Sequence, residues 1–155
     1  MIASLLLVGA SVVASGATFT CTPVAVWDGD GPIWCAEGPR IRLSGIAARE
    51  IDGSCRPAHP CPAASGRVAR DHLVQLLGGA RGRLSTGHIA VRGPALRCRS
   101  MGSGKGSRTA ALCSAPVHGD LSCAMVRSGH ALRWRRYGGD ELCGGSGAAP
   151  RASSR

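Results

Sequence analysis

Aromatic residues are scarce: the 155 residues include one Phe, one Tyr and three Trp. A core built on large rings is therefore excluded, and crosslinks are expected to compensate for a modest aliphatic core. No Cys-x-x-Cys pair occurs, which weighs against a zinc site. No apolar run is long enough to suit a membrane span. The nearest candidate, MIASLLLVGASVVASGA at the N-terminus, is short and rich in Gly, Ala and Ser. Acidic residues are few as well. Nine Asp+Glu face 19 Lys+Arg for a net charge of +10, which favours polyanions: nucleic acid, acidic envelope polymers or anionic membrane. Internal repeats and inter-domain linkers are missing, so one domain is expected. Gly104-Lys105 is followed by Gly106 where a phosphate loop needs Ser or Thr. That stretch is read as an exposed loop with Lys105 facing phosphate.

What is present begins with the uncharged N-terminal run. Ser15 and Ala17 fit the −3 and −1 positions of a signal-peptidase site, so residues 1–17 are read as a signal peptide, one without Lys or Arg in its first segment. All eight cysteines lie beyond it and read as a disulfide framework, which places the protein in the periplasm or outside the cell. Cys55 and Cys61 close a short loop stiffened by two prolines; a zinc site from Cys55, His59 and Cys61 is the weaker reading. Cys21 and Cys35 sit on opposite arms of a hairpin at nearly matching distances from its turn and form the second expected pair. Cys98, Cys113, Cys123 and Cys143 allow three pairings. Residues 144–155 have the composition of a disordered tail. The domain is therefore 18–143, expected as a monomer with no membrane anchor left after cleavage.

Element signals follow in order. Thr18 to Val26 and Pro32 to Ala36 flank an Asp-Gly-Asp-Gly turn, a strong hairpin signal. Arg40 to Ile46 gives a third strand, and residues 47–62 read as a loop. A helix follows with Ala69, Leu73, Leu76 and Leu77 on one apolar face and Gly78-Gly79 as its stop. His88 to Cys98 is a fourth strand broken at Gly93-Pro94, and Arg108 to Ser114 a fifth. Asp120 caps a second helix that turns Leu121, Ala124 and Met125 inward. The fold class is mainly β with helices (α+β). The expected architecture is a five-stranded OB-fold barrel with one helix between strands three and four and another after strand five. Two carboxylates and an arginine at adjacent strand ends suit work on a phosphodiester, since carboxylates hold hard cations and guanidinium forks grip phosphate oxygens.

Four pieces in order, VWDGDGP, RIRLSGIAARE, GSRTAAL and DLSCAMVRSGHA, make the chain from about Val24 to Tyr137 resemble the staphylococcal nuclease (thermonuclease) family. The resemblance implies a nuclease that cleaves DNA and RNA to 3′-phosphate products with Ca2+ as cofactor. By the same resemblance, Asp30 is a metal ligand, Arg42 and Arg108 grip the phosphate and stabilise its charge, and Glu50 is the base that activates water. Tyr137 matches an aromatic of the nucleotide-binding surface. The departures are specific. The family's second metal-ligand aspartate falls at Ala47, and its metal-ligating backbone carbonyl at Ala48. The proline before the glutamate is Arg49, and the Tyr-Gly before the second arginine is Gly106-Ser107. Losing a carboxylate should weaken a calcium site.

Blander readings stand beside these. Asp-Gly is ordinary turn chemistry, and Asp28 is read as structural, bonding the turn backbone. Most arginines here are solvated surface. The basic run Arg133 to Arg136 is a solvated face unless Trp134 and Tyr137, interleaved with it, stack bases of single-stranded DNA or RNA. Two function classes follow: an exported metal-dependent nuclease, and an OB-fold nucleic-acid-binding module whose catalysis is impaired because the second ligand is Ala47.

Overall fold

Residue alternation in Arg40-Ile41-Arg42-Leu43 governs the layout of the molecule. Ile41 and Leu43 are fully buried, while Arg40 and Arg42 face the other side, the period-two pattern of a strand with one covered face. The computed structural model describes residues 10–144. The start of the predicted leader, residues 1–9, and the predicted tail from residue 145 lie outside them.

In chain order the elements are β1 (Thr18–Cys21), β2 (Pro23–Val26), β3 (Ile33–Cys35), β4 (Arg40–Leu43), β5 (Ile46–Ala47) and α1 (Gly66–Leu76). There follow β6 (Ala80–Arg83), β7 (Ile89–Val91), β8 (Leu96–Ser103), β9 (Thr109–Ala115), β10 (Gly119–Asp120), α2 (Leu121–Arg127) and β11 (Leu132–Arg133). The fold is mixed α+β, dominated by one curled, half-barrel sheet. Its strand order is β1-β8-β9-β4-β3-β2-β7-β6, with β10 added to β9 and a separate β5–β11 pair. All pairings are antiparallel except β4 with β9, which run parallel.

Several expected strands are divided. The stretch Thr18–Val26 breaks at Thr22, so that β1 pairs with β8 while β2 pairs with β3 and β7. The fourth strand splits at Gly93-Pro94 into β7 and β8, because proline offers no N–H to a ladder. The third ends at Leu43, and Ile46-Ala47 turns into the second sheet against Leu132 and Arg133. Ala80–Arg83 pairs with β7 although it is polar and exposed, which hid it from any pattern of buried residues.

The core between the sheet and the helices is aliphatic, as the scarcity of rings requires. Ile33, Ile41, Leu43, Leu73, Leu77, Leu96, Leu121 and Met125 are fully buried, each contributing roughly 1.5–3 kcal/mol by leaving water. Helix α1 begins at Gly66, because the Ser65 hydroxyl accepts the Val68 N–H and so caps it. Such a cap contributes about 1 kcal/mol. Asp120 caps α2 through the Cys123 N–H. His72 stacks on His130 at 4.1 Å, joining α1 to the end of α2.

All eight cysteines are paired: Cys21–Cys35, Cys55–Cys61, Cys98–Cys113 and Cys123–Cys143. The two pairs expected from sequence are present. Of the other two, Cys98–Cys113 depends on register, its cysteines being direct partners across β8 and β9, while Cys123–Cys143 ties α2 to the segment beyond β11. Four disulfides with no free cysteine among the described residues belong to an oxidising environment. No helix among the described residues is long and apolar enough to cross a membrane. The described part of the predicted leader lies beside β8 and β9: the Ser100 hydroxyl donates to the Val13 carbonyl, and the Val13 N–H donates to the Thr109 hydroxyl.

Candidate nucleic-acid cleft

The outer face of β4 opens into a cleft of about 1140 Å³. The turn Asp28-Gly29-Asp30 enters it because Gly29 lets the backbone lie against α1: a Cβ there would stand 2.6 Å from that of Ala69 and 2.9 Å from that of Ala48. Asp30, Arg42, Glu50, Lys105, Arg108, Trp134 and Tyr137 all line this one cleft, so the side chains singled out in the sequence converge. Ala48 does not line it, and the group it turns toward Asp30 is its N–H, which donates to Asp30 Oδ2 at 3.1 Å. The same oxygen accepts from Arg42 Nη2 at 3.2 Å.

Asp28 is structural as expected, its Oδ1 accepting the Asp30 N–H at 3.2 Å. Its carboxyl is pushed up to about 9, first by burial and then by the adjacent Asp30 carboxylate. Folding thus fixes a proton on Asp28 that the unfolded chain releases near the ordinary carboxyl value of 3.8. Because the folded state binds more protons between these values, stability falls as pH rises through the window from 3.8 to about 9. Asp28→Asn is therefore expected to be more stable than the wild type at pH 8, by roughly 1–3 kcal/mol after allowing for relaxation around the buried group. The two should converge near pH 4. Urea denaturation at both pH values checks this, and parallel stability curves would count against it.

Glu50 sits on the loop that joins β5 to α1, and its position is set by a close approach. A Cβ at Gly66 would collide with the Glu50 carbonyl, whose carbon would be 2.5 Å away. Arg49, which replaces the expected proline, holds the same loop by donating from Nε to the Pro62 carbonyl and from Nη1 to the Gly53 carbonyl.

The Cys55–Cys61 loop proves to be part of the cleft, which its sequence did not announce. Its Arg56 Nε lies 3.1 Å from Glu50 Oε1, and its His59 ring packs on Trp134 with centroids 4.2 Å apart. Burial, and then the Arg42 charge, hold His59 below the ordinary imidazole range. Trp134 is packed among its neighbours. Arg42 stands over its ring at 5.1 Å and Tyr137 meets it edge-on at 4.7 Å, so it braces the Arg42 guanidinium. The Trp134 N–H donates to the Gly45 carbonyl and fixes the strand beneath. Arg108 is half-buried, its Nε donating to the Lys105 carbonyl at 3.3 Å, while Lys105 itself is exposed.

Tested against a calcium ion, the donor set falls short. Calcium takes six to eight oxygens, with carboxylate charge setting affinity. Here Ala47 presents a fully buried methyl, and Asp30 Oδ2 is engaged by a guanidinium and an amide. Among the described residues no cluster of three or more His, Cys, Asp or Glu side chains is placed to hold an ion.

Compared with known proteins, the chain matches no family model, and no curated protein matches it.

Proposed function

We propose that the protein is an exported nuclease that hydrolyses phosphodiester bonds of single-stranded DNA or RNA, acting as a monomer in the periplasm or outside the cell. The observation that carries this reading is the convergence of Arg42, Glu50 and Arg108 on one cleft in a strongly basic chain. A binding module needs no carboxylate beside its phosphate grip.

In this reading Arg42 and Arg108 donate forked hydrogen bonds to the non-bridging oxygens and offset the charge that builds on them. Glu50 accepts a proton from water as the water oxygen bonds to phosphorus. The P–O5′ bond breaks, the leaving oxygen takes a proton from solvent, and a 3′-phosphate results. Asp30 holds Arg42 in position through the 3.2 Å contact. Calcium, implied by the resemblance to thermonucleases, enters none of these steps, because the donor set does not suit it. We read the curled sheet as a divergent OB-like barrel, supported by the parallel β4–β9 pairing and by β7 and β8 as two halves of one broken strand.

A second reading, a nucleic-acid-binding module with impaired catalysis, is favoured by the methyl of Ala47. Digestion of single-stranded DNA and RNA by the oxidised protein, with calcium and with excess chelator, separates the two. Cleavage that survives chelation is the expected result. Salt-sensitive binding with no cleavage in either condition would establish the binding module instead.

A further inference from the structure

Four of the five aromatic residues, Trp27, Trp34, Trp134 and Tyr137, line the cleft, leaving only Phe19 against the core. In a chain so short of rings this is an unusual allocation, since large rings are otherwise the most effective core fillers. Trp134 and Tyr137 form one wall beside Arg42. A second wall is built by Trp27, Trp34 and His88, which the phosphate chemistry described above does not use.

Strand register explains this second wall. Trp34 lies between the buried Ile33 and Cys35, so its side chain takes the outer face of β3. Its partner across the ladder is Arg40 of β4, whose guanidinium stands 4.6 Å over the indole. His88, just before β7, meets Trp34 at 4.1 Å and Trp27 at 5.0 Å between ring centroids. Burial, then the Arg40 charge, keep this imidazole below its ordinary range, so a neutral ring completes the wall at pH 7. All three rings are half-exposed, and Arg40 is exposed.

We propose that Trp27, Trp34, His88 and Arg40 form a stacking subsite for a nucleobase of single-stranded DNA or RNA, beside the phosphate held by Arg42 and Arg108. Rings stack on any base face without reading its edge, and Arg40 supplies the cationic supplement. Charge complementarity supports this occupant, because Arg40, Arg42, Arg56, Lys105 and Arg108 all line the cleft. A paired duplex, its base faces covered, cannot enter this subsite. The proposal rests on the reading of the cleft as a phosphodiester site.

Its test uses the oxidised full chain and a nuclease-resistant phosphorothioate oligothymidylate, with binding read by fluorescence anisotropy. An RNA arm uses 2′-O-methyl oligouridylate. Trp34→Leu keeps the apolar bulk and is expected to weaken binding of both about tenfold or more, with Trp34→Phe restoring most of the loss. Inorganic polyphosphate, which has charge but no bases, should bind all three proteins alike. Equal oligonucleotide affinity in wild type and Trp34→Leu, or no binding by the wild type, would overturn the subsite. Wild-type protein that binds through Trp34 yet hydrolyses no phosphodiester would leave the subsite standing and overturn the nuclease reading alone.

Discussion

Replacing Glu50 with glutamine is expected to lower cleavage of single-stranded DNA by about 10²–10⁴-fold, the usual range for losing a positioned general base. The amide has nearly the shape of the carboxylate but cannot accept the proton of the attacking water. Its carbonyl oxygen can still accept a hydrogen bond from Arg56, which contacts Glu50 at 3.1 Å in the wild type. The fold should therefore hold, since this ion pair is partly exposed and such pairs contribute at most about 1 kcal/mol. Oligonucleotide affinity should change little, because Arg42 and Arg108 keep the phosphate. The decisive comparison is kcat/KM against affinity for the same oligonucleotide. Activity within threefold of wild type would remove Glu50 from the role of base.

Gly66→Ala should give the second large effect, at a residue that touches no substrate. Its added methyl would occupy the space of the Glu50 carbonyl and crowd the Arg49 carbonyl, 3.0 Å from the ideal Cβ position. Neither the start of α1 nor the Glu50 loop can yield alone. The loop is tied by Arg49 and by Cys55–Cys61, and the helix is capped by Ser65. Overpacking of this kind costs roughly 1–3 kcal/mol. The loss of rate should exceed what that cost explains, because a displacement of about 1 Å in a catalytic group can lower rates 10²-fold. Far-UV circular dichroism should show a folded protein while hydrolysis of bis(p-nitrophenyl) phosphate falls by about that factor. A folded Gly66→Ala protein with wild-type kcat would show that this contact does not set the position of Glu50.

Much of the cleft was legible in the sequence because its parts lie at turns and strand ends, where a motif fixes spacing. Asp30, Arg42, Glu50 and Arg108 were found this way, as was the Cys21–Cys35 crosslink. What escaped depends on long-range register. Trp34 and Arg40 face one another only once β3 and β4 are aligned, and His88 reaches them only because β7 pairs with β2. Arg56 and His59 were hidden for another reason. Between two cysteines and two prolines they read as filler of a small closed loop, and nothing local shows that the loop folds over the cleft. Trp134 lines the cleft, and its contacts with Arg42, His59 and Tyr137 were likewise hidden from the sequence.

The four crosslinks share a property of order. Each bond joins two cysteines consecutive in chain order: first to second, third to fourth, fifth to sixth, seventh to eighth. The separations are 14, 6, 15 and 20 residues, and no loop encloses a cysteine of another pair. For a chain threaded N-terminus first into an oxidising space, each thiol would meet its native partner before any wrong one had arrived. Correct connectivity then follows from the sequence of emergence alone. The far-reaching contacts, β1 with β8 and β4 with β9, would then be left to a chain whose crosslinks are already right.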